Sequence, residues 1–117
     1  MSVRRIVANL ASNHPAEVAA FYRKLFDITP LMDHGWIITL ASDSHAHAQL
    51  SIASEGGSGA PVPNLSIEVD NLDEVFERAQ RAGYQILYPL TLEPWGVRRF
   101  FVLDPLGTLI NVLQHTD

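Results

Sequence analysis

A single shift of about half the chain lays one stretch of this sequence on another, with Glu17-Val18 falling on Glu74-Val75, Leu10 on Ile67 and Asn13 on Asp70. Such a repeat limits the architectures open to a chain more than any one motif does, because each copy must bury its apolar face against elements of the same kind. The boundaries fall near residues 1–55 and 64–117, and Gly56-Gly57-Ser58-Gly59-Ala60-Pro61-Val62-Pro63 between them reads as a flexible linker. The 117 residues make one domain of ordinary size. A chain of this length buries about 65% of its unfolded surface, enough for a core without disulfides or a structural metal. There is no Cys, so thiol nucleophiles, zinc–thiolate sites and iron–sulfur clusters are excluded.

Each copy reads β-α-β-β-β. In the first helix Asn13 offers an N-cap oxygen, Pro15 sits where a missing N–H costs little, and Val18, Phe21, Tyr22, Leu25 and Phe26 make one apolar stripe. In the second, Asn71 and Glu74 form a capping-box pair, Leu72, Val75, Phe76, Ala79 and Ala82 make the stripe, and Gly83 ends it. The clearest strands are Trp36 to Ala41, Ala46 to Ala53, Asn64 to Val69, Arg98 to Leu103 and Thr108 to Leu113. Asp104-Pro105-Leu106-Gly107 supplies the tight turn between the last two.

Period-two alternation assigns the strand faces. Leu65, Ile67 and Val69 pack toward a helix, which leaves Asn64, Ser66 and Glu68 on the other side. By the same rule Leu50 and Ile52 turn inward opposite Gln49 and Ser51, Ala8 and Leu10 opposite Val7 and Asn9, and Ile110 and Val112 opposite Leu109, Asn111 and Leu113. Two curved four-stranded sheets then enclose a groove lined by Asn9, Gln49, Ser51, Asn64, Ser66, Glu68 and Asn111. Each of these residues taken singly also suits a face turned to water.

Eight Lys and Arg against 13 Asp and Glu give a net charge of −5, and no basic cluster exceeds the pairs Arg4-Arg5 and Arg98-Arg99. Nucleic acid is excluded as a partner on that ground, since phosphate-backbone affinity needs many cations. No run approaches the roughly 20 apolar residues of a spanning helix, and Asn9 breaks the N-terminal apolar stretch, so no membrane is expected and the expected location is cytoplasmic.

Three stretches, in order and at one spacing, carry a family resemblance: Ala20-Phe21-Tyr22-Arg23-Lys24-Leu25-Phe26, Ser66 through Val75, and Pro94-Trp95-Gly96-Val97-Arg98-Arg99-Phe100 leading to Asp104-Pro105-Leu106-Gly107-Thr108-Leu109-Ile110. The chain resembles the glyoxalase, bleomycin-resistance and extradiol-dioxygenase superfamily, the vicinal oxygen chelate proteins, and is most similar to the metal-free bleomycin-resistance-like branch. The resemblance implies an α+β fold of two tandem βαβββ modules, forming curved mixed sheets around a groove. It also implies a homodimer with a small-molecule ligand.

Enzymes of this superfamily hold a divalent metal through His or Glu on the first and last strands of each half. Those positions fall here on Val7 (or Ile6), Gln49 (or Ser51), Asn64 and Asn111, none of which is an imidazole or carboxylate. A transition-metal site needs such donors at about 2.0–2.2 Å, so no metal and no cofactor is expected, and no metal-dependent glyoxalase or dioxygenase chemistry. His45 and His47 share the strand face of Gln49 and would suit a rebuilt site, or simply an exposed hairpin. His14, His34 and His115 read as a first-turn, a loop and a tail residue and are given no chemistry.

Glu68 is the one candidate catalytic group, a carboxylate whose pKa a partly apolar groove would raise toward general-base duty. It would equally bind a ligand cation or pair with an arginine such as Arg98. Trp36 and Trp95 offer aromatic faces or core packing. Of Arg98 and Arg99 only one looks into the groove, and the motif match favours Arg98 as an anchor. The leading expectation is a metal-free small-molecule binding protein, sequestering an antibiotic or metabolite. The alternatives are a lyase, isomerase or dioxygenase-type enzyme using a rebuilt metal site or Glu68 as base, and an interaction module whose groove its own side chains fill.

Overall fold

The computed structural model describes residues 3–26, 28–42 and 49–116. His45 and His47 lie outside them. The elements run β1 (Val3–Ala11), α1 (Pro15–Phe26), β2 (Thr29–Asp33), β3 (Ile37–Ala41), β4 (Gln49–Ala53), β5 (Leu65–Val69), α2 (Leu72–Ala82), β6 (Ile86–Glu93), β7 (Val97–Leu103) and β8 (Leu109–His115). This is the α+β, twice-repeated β-α-β-β-β pattern. No described helix is long and apolar enough to cross a membrane.

The chain divides into two compact units, Val7–Val62 and a second made of Pro63–Asp117 with Met1–Ile6. In the first the strand order is β2-β3-β4-β1, and in the second β6-β7-β8-β5, the same order of corresponding strands. In each, the first strand of the repeat runs parallel to the last (β1 with β4, β5 with β8), and the remaining pairs are antiparallel. The parallel pairing follows from the helical crossover that returns each chain segment to its starting side. Pro30 and Pro89 sit on β2 and β6, the outermost strands of their units, beside breaks in register. An edge strand tolerates the missing N–H that a central one would need.

Each helix buries one face on its sheet. Ala19 packs against Ile38, Leu40 and Ile52, with Val18, Tyr22, Ile28 and Leu50 filling around them. Leu72 and Ala79 pack with Val69, Phe100 and Val112, and Phe76 meets the Phe100 ring edge-on at 5.0 Å. The expected stripe of α1 is split, because Pro15, Ala19 and Tyr22 set the line of contact. Phe21, Leu25 and Phe26 are left 58%, 62% and 59% exposed.

The helix ends differ from the local expectations in one instructive way. The Asn13 side chain does not cap α1; the His14 carbonyl accepts the first helical N–H groups, and Ser12 Oγ accepts from His14 N at 3.0 Å. Asn71 flanks α2 but spends its Nδ2 on Glu74 Oε2 at 3.1 Å, while the Leu72 N–H is taken by Gln114 Oε1 of β8 at 3.1 Å. A side chain distant in sequence has replaced the local cap. The C-terminus is as expected, with Gly83 at φ 75° and its N–H on Gln80 O.

Of residues 56–63, expected as a flexible linker, 56–60 form a hydrogen-bonded turn with Gly56, Gly57 and Ala60 buried. Gly56 N donates to Ala60 O at 2.7 Å, and Gly59 N to Glu55 Oε1 at 2.9 Å. A Cβ on Gly56 would stand 2.1 Å from Pro61 O, so backbone proximity explains this glycine.

Candidate functional site

The sheet face turned away from α2 carries Ser66, Glu68 and Asn111, and strand register decides which residues of β7 join them. On β7, Arg98 pairs with Leu92 and Gln114, whereas Arg99 lies opposite Thr91 and Leu113. Arg98 therefore sits on the helix side, where its guanidinium reaches Asp73 Oδ1 at 2.7 Å and Oδ2 at 3.3 Å. That contact holds the Asp73 carboxyl below its ordinary range and raises Arg98. The expected roles of the two arginines are thus exchanged: Arg98 clamps α2, and Arg99 faces the other side.

Arg99 is buried against Glu93, its Nε 2.7 Å and its Nη2 2.6 Å from Glu93 Oε2. The Tyr88 hydroxyl donates to the same oxygen at 2.7 Å. Three rings, Tyr88, Trp95 and Phe101, each lie with their centroid 4.9 Å from the guanidinium carbon. A planar cation can stack on aromatic faces while its edge donates to a carboxylate, which is why this position suits Arg. Trp95 is held there by the turn Glu93-Pro94-Trp95-Gly96, closed by Gly96 N on Glu93 O with Gly96 at φ 86°. The indole is a wall of this cluster.

Glu68, on β5, accepts from Arg5 Nε at 2.7 Å and lies 2.8 Å from His115 Nδ1. An ionised carboxylate only accepts, so Nδ1 carries the proton in this contact. Burial pushes the Glu68 carboxyl up, but the His115 and Arg5 contacts outweigh it and hold it below its ordinary 4.5. The expected upward shift is therefore reversed. His115 is no tail residue but the last of β8. An open depression beside it is lined by Arg4, Glu68, Val69, Gln114 and His115.

Asn111 is 8% exposed and lies between Phe101 on β7 and Ser66 on β5, directly opposite each. Its Nδ2 donates to Ser66 Oγ at 3.1 Å, and its Oδ1 is buried with no partner. Asn64 is engaged differently: its Oδ1 accepts the Leu109 N–H at 3.0 Å and its own N–H reaches Leu109 O. It ties β5 to β8. The face is also less polar than alternation suggested, since Val97, Phe101, Leu109 and Leu113 are buried on it.

In the unit Val7–Val62, Asn9 pairs with Ser51 in β1–β4 register, and Ser51 Oγ lies 2.7 Å from Thr39 Oγ1, both buried. Gln49 lies at the start of β4 and is half-buried. Trp36 stays outside the core cluster, with its ring stacked on His34 at 6.3 Å.

The metal positions can be tested on their chemistry. Val7 is hydrocarbon and 3% exposed, Asn64 Oδ1 is occupied by a backbone N–H, Ser51 is bonded to Thr39, and Asn111 is a neutral amide. Among the described residues no three His, Asp or Glu side chains converge to hold an ion. This donor set does not fit a divalent transition metal.

Tyr88, Glu93, Phe101, Arg5 and Thr39 are functional-face residues that sequence reasoning missed, and of the two arginines it favoured the other one. Both phases of β7 are apolar enough to face a core, Val97, Phe101 and Leu103 in one, Phe100 and Val102 in the other, so alternation left Arg98 and Arg99 undecided. The pair Glu93 and Arg99 carries no sequence sign of burial.

A family model described as Glyoxalase/Bleomycin resistance protein/Dioxygenase superfamily matches residues 5–112. No match to the chain is found among curated proteins. Similar solved structures include an NAD-dependent benzaldehyde dehydrogenase from Legionella pneumophila, 15% identical over 95% of this chain and 99% of that one, with a TM-score of 0.76. A glyoxalase/bleomycin resistance protein/dioxygenase superfamily member from Vibrio splendidus 12B01 is 18% identical over 97% and 99%, TM-score 0.68. Methylmalonyl-CoA epimerase from Mycobacterium tuberculosis is 18% identical over 98% and 88%, TM-score 0.60. At these identities the likeness is one of fold.

Proposed function

The chain belongs to the Glyoxalase/Bleomycin resistance protein/Dioxygenase superfamily, and from that premise we propose that it captures a small molecule, an antibiotic or a metabolite, without using a metal ion. One observation carries the reading: the four positions at which enzymes of the superfamily bind metal hold an aliphatic side chain and neutral amides or a hydroxyl, most of them already engaged within the chain. Capture then rests on shape and a few fixed polar groups in an apolar lining, as in most small-molecule sites. Trp95 supplies apolar surface, backed by the buried Phe101, Leu109 and Leu113, and Asn111, Ser66 and Glu68 supply the polar atoms. The enzymatic alternative through Glu68 loses support, because a carboxylate held below its ordinary pKa by Arg5 and His115 is a poor base near neutrality. The superfamily's usual association as a homodimer is part of the proposal, supported by the exposed Phe21, Leu25 and Phe26 of α1.

The test is a thermal-shift screen of the protein against glycopeptide antibiotics, other natural products and aromatic metabolites, run beside Zn²⁺, Ni²⁺ and Mn²⁺. Members of the compound panel are expected to raise the melting temperature while the metals do not. A protein stabilised by a metal and by none of the compounds contradicts the reading.

A further inference from the structure

We propose that Asn111 Oδ1 receives a hydrogen bond from the ligand, and that the ligand is therefore a largely apolar molecule carrying an O–H or N–H donor, in the manner of a phenol or a secondary aromatic amide. The inference deepens the capture reading and rests on it. Buried polar atoms in folded proteins are nearly always paired. Asn111 is 8% exposed, yet its oxygen has no partner. The other end of the amide is fixed, since Nδ2 is committed to Ser66 Oγ across the β5–β8 pairing. What remains is an acceptor, so the missing partner is a donor.

The surroundings define the rest of the molecule. Along β8, Leu109 and Leu113 flank Asn111 on the same face, and Phe101, fully buried, lies directly across on β7. An open acceptor flanked by hydrocarbon recognises a ring or chain whose polar end carries a donor. Glu68 pairs in register with Leu113 on this face and is held ionised. Carboxylates and phosphates are ionised near neutrality and bring no donor to Asn111. The oxygen is sealed from solvent in this structure, so a donor reaches it only with a local rearrangement of the chain.

Phenol and anisole share a ring, but only phenol has the donor. Each is titrated into the unsubstituted protein and into Asn111→Leu and Asn111→Ala, with binding followed by ¹H–¹⁵N chemical shifts. Phenol is expected to bind the unsubstituted protein about tenfold more tightly than anisole, to move the Asn111 side-chain amide resonance, and to lose its advantage in whichever variants fold. Equal binding of the two compounds, or a phenol preference that survives in the variants, overturns the assignment and leaves the capture reading intact. So does a crystal structure in which an ordered water stays on Oδ1 with phenol bound. If neither compound binds while other members of the wider panel do, this inference alone fails; if nothing in the panel binds, both fail.

Discussion

Glu93 Oε2 on β6 takes hydrogen bonds from Arg99 Nε and Nη2 at 2.7 and 2.6 Å, with both side chains less than 5% exposed. A buried ion pair of this kind is an asymmetric element of stability. Its formation offsets two desolvation costs, while loss of one partner strands a charge in low dielectric. The aromatic rings around the guanidinium deepen that asymmetry, because they exclude the water that would otherwise solvate a stranded Glu93.

Arg99→Met is accordingly expected to lower the free energy of unfolding by about 3–5 kcal/mol. Adding Glu93→Leu to it should restore part of the loss, since two apolar residues leave no stranded charge. Urea denaturation of the single and double variants measures this. A single-variant loss below about 1 kcal/mol would mean that the pair is accessible to solvent.

The Glu68 carboxyl gives a pH dependence of definite sign. Its pKa is lowered in the folded chain, so its contribution is complete above the ordinary 4.5 and disappears as pH falls through the lower folded value. Unfolding curves recorded at a series of pH values should show the unsubstituted protein losing stability relative to Glu68→Gln as pH falls below about 5, with the difference level above that. A difference that instead grows with acidity contradicts the Arg5 and His115 contacts.

Arg98→Ala tests the face assignment. The side chain lies on the α2 side with Asp73, so the substitution should leave phenol affinity unchanged within twofold while removing the Arg98–Asp73 pair. A large loss of affinity with the fold intact would place Arg98 on the binding face after all.

Gly56→Ala should destabilise the first unit by about 1–3 kcal/mol, the usual cost of forcing atoms into filled space. The cause is specific, a new Cβ 2.1 Å from Pro61 O. Thermal unfolding reads it directly.

Leu25→Glu tests self-association through α1. The residue is 62% exposed beside Phe21 and Phe26, so, on the proposal of a dimer through α1, the unsubstituted protein should sediment as a dimer and the variant as a folded monomer. An unchanged dimer would place the contact elsewhere on the chain.

What the amino-acid order determined alone is what depends on neighbours within a few residues. The repeated β-α-β-β-β pattern, the two amphipathic helices, the Gly83 stop and the Asp104 turn, where Oδ1 accepts from Leu106 N and Thr108 N at 2.8 Å each, all follow from local spacing. That Val7, Ser51, Asn64 and Asn111 offer no imidazole or carboxylate was equally readable, because it is a fact of composition. Tertiary structure decided the rest. Gln114 displaced the expected cap of α2, His115 came to Glu68 across 47 positions, and residues 56–60 of the expected linker became packed turn. Above all, alternation states that Arg98 and Arg99 face opposite ways but not which way. Only the pairing of β7 with β6 and β8 chooses the phase, and that choice is made by how well two whole faces pack, a quantity no local run of residues contains.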